Sequence, residues 1–241
     1  MLARVAGLCG TALAAAVFLV PNAAMAAVLK VTVEDVANGK TIPGQYAFCV
    51  PAQQGHVTFG SDKNPKVSWS GAPKGTKSYA VIVVDPDVPP VPTDVNKESK
   101  TVSRMLKRTN FFHWVLVDIP ATVTAIDQGA DSDKLTPHGK PPGPAPVGVR
   151  GVNDYTKWFA GDEAMKGEYG GYDGPCPPWN DAIVHHYHFK VFALDLPSLK
   201  LSGTFDGREV VKAMKSHILA QGESVGTYVL NPTLMKAGAA K

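Results

Sequence analysis

Tyr79-Ala80-Val81-Ile82-Val83-Val84, followed at once by Asp85-Pro86-Asp87-Val88-Pro89, is the stretch that decides the architecture. The apolar run is short, rich in β-branched residues and stopped by aspartate and proline. A segment of that length between turn formers reads as a strand buried on both faces. Residues 111–119 and 185–194 have the same character, and residues 28–33 alternate as a half-buried strand does. Residues 65–70 make another short strand, closed by the turn Gly71-Ala72-Pro73-Lys74-Gly75-Thr76. With 23 glycines and 20 prolines around such runs, the chain predicts packed sheets and not an alternating βαβ array.

One helix is predicted late in the chain. Asp206 and Glu209 form an Asp-x-x-Glu capping pattern, Val210, Val211, Met214 and Ile218 share a face, and Gly222 follows as a stop. His217 then lies near the helix end, as a surface residue. Residues 158–169 read as a second, short helix. Residues 88–110 and 131–150 read as long loops. The first of these carries Lys97, Lys100, Arg104, Lys107 and Arg108 against Asp94 and Glu98.

The first 26 residues have the form of a secretory signal peptide. Arg4 is their only charge, residues 11–20 are apolar, and Ala24-Met25-Ala26 supplies a small-residue cleavage site. Cleavage after Ala26 predicts a single domain over residues 27–241, periplasmic or secreted, with no later segment apolar enough to span a bilayer. Losing Arg4 takes 24 basic residues to 23 against 21 acidic ones, which gives no argument for nucleic acid as a partner. Cleavage also removes Cys9 and leaves Cys49 and Cys176. In an oxidising compartment two cysteines form a disulfide only where their Cα atoms come within reach, so the pairing stays open.

Chemistry-bearing residues gather at strand ends: Asp85 and Asp87 after the first buried run, His113 before Trp114, Cys176 between prolines, and His185-His186-Tyr187-His188. Alternation puts His185 and Tyr187 on one face and His186 and His188 on the other. A carboxylate that accepts from one imidazole nitrogen leaves the other to face a ligand. Asp85 is assigned that orienting role, with His185 as the donor to an anion and Tyr187 offering a hydroxyl beside it. Phosphate favours protonated histidine, so binding is expected to tighten as pH falls through ~6.5.

Taken together, Asp85-Pro-Asp-Val-Pro, His113-Trp114, Gly174-Pro-Cys-Pro-Pro and His185-His-Tyr-His-Phe resemble the phosphatidylethanolamine-binding protein family, in its bacterial Raf-kinase-inhibitor-like branch. The resemblance runs from about Asn64 to Tyr228. It implies a mainly β fold, a large sheet packed on a smaller one, with a few helices near the C-terminus. It also implies a non-enzymatic protein with a small pocket for phosphate-like anions or phospholipid headgroups, and no cofactor. On that pattern Asp85, Asp87, Pro89, His113, Pro177, Pro178, His185 and Tyr187 are pocket residues. Cys176 falls where animal members place a glycine whose backbone N–H faces the ligand. The basic loop 88–110 and residues 156–169 depart from the pattern and would reshape the pocket mouth.

Four other readings compete. Gly222-Glu-Ser-Val-Gly matches a nucleophile-elbow spacing, but no acid or histidine follows Ser224 and the flanking order is wrong. His113, His185 and Asp85 or Asp87 have the ligand types of a metal-dependent enzyme. Cys176 with His185 would make a nucleophilic pair. The basic loop would serve an inhibitor of a protein partner.

Overall fold

A computed structural model describes residues 27–239 of the chain. The expected signal peptide and its cleavage after Ala26 lie outside the described residues.

The strands are β1 (Ala27–Val28), β2 (Lys30–Val33), β3 (Cys49–Pro51), β4 (Val57–Phe59), β5 (Val67–Ser70), β6 (Ser78–Val88), β7 (Thr109–Pro120), β8 (Ala125–Ile126), β9 (Gly143–Pro144), β10 (Val149–Arg150), β11 (His185–Leu194) and β12 (Ile218–Tyr228). Three helices accompany them: α1 (Tyr155–Trp158), α2 (Gly207–Met214) and α3 (Pro232–Ala239). Seven strands form one sheet in the order β1-β12-β11-β6-β7-β10-β9. Three form a smaller sheet, β2-β5-β8, and β3 pairs with β4. This is the mainly β, large-sheet-on-small-sheet arrangement that the sequence predicts.

The centres of β6 and β7 and the second half of β11 are largely apolar because both faces of the large sheet are covered there, whereas the first half of β11 alternates buried with more exposed residues. Tyr79, Val81 and Val83 of β6 join Val191 of β11 and Trp69 of β5 in the core between the sheets. Their neighbours Ala80, Ile82 and Val84 point the other way, against Phe205 and the Val210 and Met214 side chains of α2. A half-buried strand would have alternated.

α2 forms where predicted, and its capping box is present. The Asp206 carboxylate accepts from the N–H groups of Arg208 and Glu209, while the Glu209 side chain accepts from the Asp206 N–H. Its end is not where the spacing put it. The helix stops at Met214, Val211 is 44% exposed, and Ile218 opens β12 opposite Leu194. Gly222 is therefore a mid-strand residue, and a β-carbon there would collide with the Leu29 carbonyl. His217 is a half-exposed residue paired with Asp195. Ser224 lies within the same strand, so no elbow forms. The helix expected over 158–169 is displaced to Tyr155–Trp158, and turns replace the rest up to the two glycines before Tyr172. Loop 131–150 is mostly irregular but adds β9 and β10 to the sheet edge.

Candidate functional site

β6 and β11 are antiparallel neighbours, so the end of one and the start of the other meet at the same end of the sheet. Asp85 and His185, 100 positions apart, are both buried there, with His185 Nδ1 2.7 Å from Asp85 Oδ2. The orienting role expected of Asp85 is thus in place. The free nitrogen expected of His185 is not: Nε2 lies 3.2 Å from Asp181 Oδ2. Asp181 in turn accepts two bonds from Arg108, at 2.6 and 2.9 Å.

The electrostatics follow from this chain of four alternating charges. Burial alone would lower the His185 pKa, but the Asp85 and Asp181 carboxylates outweigh it and raise the value to about 9. Burial would raise Asp181, and the bonds from His185 and Arg108 outweigh it and hold the carboxyl below its usual range. His185 is therefore a fixed imidazolium at neutral pH, contrary to the titration near 6.5 expected of it. Arg108, counted with the basic rim, is drawn inward as the last member of the chain.

His113 comes from β7 and keeps one ring nitrogen unengaged. Its Nδ1 lies 2.9 Å from the Asp173 carbonyl, which only accepts, so Nδ1 carries the proton. Among the described residues Nε2 has no hydrogen-bond partner. Burial lowers the pKa of this ring, only partly offset by the Asp85 charge, so it is neutral at pH 7. The Tyr187 ring stands edge-on at 5.1 Å, and its hydroxyl is buried with no hydrogen-bond partner. Burial, followed by the nearby Asp85 charge, pushes that phenol well above its ordinary pKa.

Asp85, His113, His185 and Tyr187 lie along a cavity of about 210 Å³. Pro89, Cys176, Pro177 and Pro178 line it as well, so eight of the nine predicted ligand-binding residues are brought together. Asp87 is the exception. Its N–H donates to Asp85 Oδ1, and the strand pairing is irregular between Asp85 and Val88. The Asp87 carboxylate is turned away from the cavity and accepts from the N–H and Nδ1 of His186.

The wall that carries Cys176 is held at several points. Cys49 and Cys176 form a disulfide, with Cα atoms 4.8 Å apart. The Gly174 N–H donates to buried Asp62, its carbonyl accepts from the Tyr155 hydroxyl, and the Cys49 N–H donates to the Pro175 carbonyl. A β-carbon on Gly174 would collide with the Tyr46 carbonyl, so only glycine passes here. The disulfide removes the thiol that a Cys176–His185 nucleophilic pair needs. The residues of the two-histidine, one-carboxylate centre are not brought into a ligating arrangement either. Both nitrogens of His185 face carboxylates, Asp87 points away, and among the described residues no cluster of three potential ligands is placed to hold a metal.

Sequence reasoning missed most of the mouth. Phe48, Phe59, Phe111, Tyr155, Trp158 and Phe159 make much of the cavity lining apolar and aromatic. Trp158 and Phe159 belong to the departing segment, with Tyr155 one residue before it, and Val95 and Asn96 belong to the basic loop, so both departures contribute to the cavity lining. Asp181 carried a signal that could have been read: it stands four residues before His185.

Relatives agree with this architecture. A sequence model of the phosphatidylethanolamine-binding protein family matches residues 32–229. The UPF0098 protein YbcL of Escherichia coli (strain K12) is 30% identical over 207 residues, covering 85% of this chain and 90% of that protein. A UPF0098 protein of Pyrococcus horikoshii is 34% identical over 179 residues, covering 74% and 70%. The crystal structure of E. coli YbcL, described as a new member of the mammalian PEBP family, matches with a TM-score of 0.60 at 29% identity, over 84% of this chain and 99% of that one. A family match across most of the sequence, a shared fold and the assembled strand-end residues lead to one conclusion: this chain belongs to the phosphatidylethanolamine-binding protein family.

Proposed function

We propose that this is an exported, non-enzymatic binding protein whose cavity takes a small phosphate-like anion, either free or as a phospholipid headgroup. The observation that carries the reading is the Tyr187 hydroxyl, buried in the cavity lining without a partner. An unpaired buried hydroxyl costs about 1–3 kcal/mol, a cost that a ligand oxygen would remove by accepting its proton.

The surrounding groups support an anion. Asp85 would repel one, but His185 neutralises it and Arg108 neutralises Asp181, so the four charges cancel. His113 offers Nε2 to the cavity, and a bound anion would favour its protonation and gain a second donor. Among the described residues the Cys176 N–H makes no hydrogen bond, consistent with a backbone donor at this position. Beyond the polar floor, the aromatic mouth would suit the apolar part of an amphiphile better than bulk water does. The disulfide suits an oxidising compartment, in keeping with export.

The test is calorimetric titration with phosphoethanolamine and with inorganic phosphate at pH 6 and 7.5. Saturable heat, stronger at pH 6 and weakened in His113→Gln, is the expected result. An absence of saturable heat with both ligands at both pH values overturns the reading. Heat with phosphoethanolamine alone would assign the headgroup as the source.

A further inference from the structure

The loop joining β6 to β7, residues 89–108, is not a slack connection. Asn180, two residues after the cavity-wall prolines, places its amide nitrogen 2.8, 3.3 and 3.1 Å from the carbonyls of Asp94, Lys97 and Lys100. Its Oδ1 accepts from the Asn96 N–H at 3.0 Å. Val102 bridges to Asp181, and Arg108 closes the loop's far end on the same residue. Four carbonyl and amide contacts to one buried asparagine hold the loop as a fixed projection.

What this projection presents is unusual for a solvated surface. Met105 is 86% exposed and Leu106 46%, side by side in a turn between Arg104 and Lys107. Val91, between two prolines, is 63% exposed. From Ser99 to Asn110 there are four cations and no acid, and only Arg108 is engaged in an ion pair among the described residues. The turn closes on itself, the Met105 N–H on Ser103 Oγ and the Leu106 N–H on the Ser103 carbonyl, so its backbone donors need no partner from outside.

We propose that this loop docks the protein on an anionic lipid surface, with Met105 and Leu106 entering the interfacial layer and Lys100, Arg104 and Lys107 against the headgroups. The charge pattern favours lipid over a protein partner. Apolar tips inside a cationic collar gain from both burial and attraction to anionic lipid, without needing matched hydrogen bonds. Protein hot spots centre on aromatic or arginine anchors set in shaped pockets; this turn has no aromatic residue, and its arginine, Arg104, shares a collar with Lys100 and Lys107 in which no acidic residue stands from Ser99 to Asn110. The loop also contributes Val95 and Asn96 to the cavity lining, so docking would bring the cavity mouth near the headgroup layer. The inference stands on the loop alone and holds whether or not the cavity binds phosphate.

The test is co-sedimentation of the protein with vesicles of phosphatidylglycerol and phosphatidylcholine in equal parts, and with phosphatidylcholine alone. It is run beside K100Q/R104Q/K107Q and M105S/L106S on the same chain. Each interfacial cation contributes roughly fivefold, so the cation variant should lose on the order of a hundredfold in partitioning to the mixed vesicles. The apolar variant should lose about tenfold or more, and both should unfold at the wild-type temperature. The proposal is overturned if the wild type does not sediment with mixed vesicles, if all three proteins sediment equally, or if the turn captures a protein while vesicles stay unbound.

Discussion

The Asp181 carboxylate stands 3.2 Å from His185 Nε2, so the nitrogen that would otherwise face a ligand is already engaged. Asp181→Asn removes the charge shared by His185 and Arg108. The variant should be destabilised by about 3–5 kcal/mol, the usual cost of stranding a buried charge. The His185 pKa should fall from about 9. Denaturant unfolding and an NMR titration of the imidazole check both, and an unchanged pKa would mean that Asp85 alone holds the proton.

Stability should also follow pH through this residue. A group whose pKa is raised on folding contributes fully below its unfolded value and loses that contribution as pH climbs to the folded one. For His185 the window runs from about 6.5 in the unfolded chain to about 9 in the folded one. Across it, unfolding free energy should drop by a few kcal/mol, and the drop should flatten in His185→Gln. Asp62 acts in the same direction. Burial and the Asp173 charge raise its pKa, so its contribution also fades as pH rises.

Tyr187→Phe should separate binding from folding. Removing a buried hydroxyl that has no protein partner should leave stability unchanged or slightly higher. Affinity for phosphate should fall roughly 10–100-fold, the worth of a hydrogen bond to a charged group. Equal affinity in the variant would remove this hydroxyl from the proposed site.

The Cys49–Cys176 bridge closes a separation of 127 residues. Cys49→Ser with Cys176→Ser should cost about 3–5 kcal/mol, read by thermal and denaturant unfolding under matched conditions. A loss near zero would mean that the contacts around Gly174 and Pro175 already hold the wall.

Gly174→Ala should be harsher than its single methyl suggests. The new carbon meets the Tyr46 carbonyl, part of the backbone and unable to swing aside. A loss of about 1–3 kcal/mol is expected, with weakened phosphate binding because the adjacent wall must shift.

The parts legible in the sequence were those set by local pattern. β6 and β7 could be read because burial on both faces leaves a long, nearly unbroken apolar run, and β11 because its second half does the same. The capping box of α2 is likewise a matter of three residues. The end of α2 was not legible, because Ile218 extends the helical spacing of Val210 and Met214 yet is claimed by Leu194 across the sheet. Asp87 failed for a related reason: alternation puts it with Asp85, but the irregular pairing after Asp85 turns its carboxylate to His186. Family resemblance located the polar floor. The aromatic mouth comes from separate loops with no periodicity, and only tertiary packing gathers it.

The pairing of β11 with β6 has a further consequence for how the protein comes into being. Asp85 and His113 leave the ribosome long before His185 and Tyr187, and Cys49 long before Cys176. β1, first among the described strands, pairs only with β12, the last. A nascent chain lacking its final third therefore has neither the floor of the cavity nor its bridged wall. The proposed ligand recognition would be gained late in biosynthesis, after the slow long-range pairings that non-local sheets require. No early fragment would be expected to show a weakened form of it.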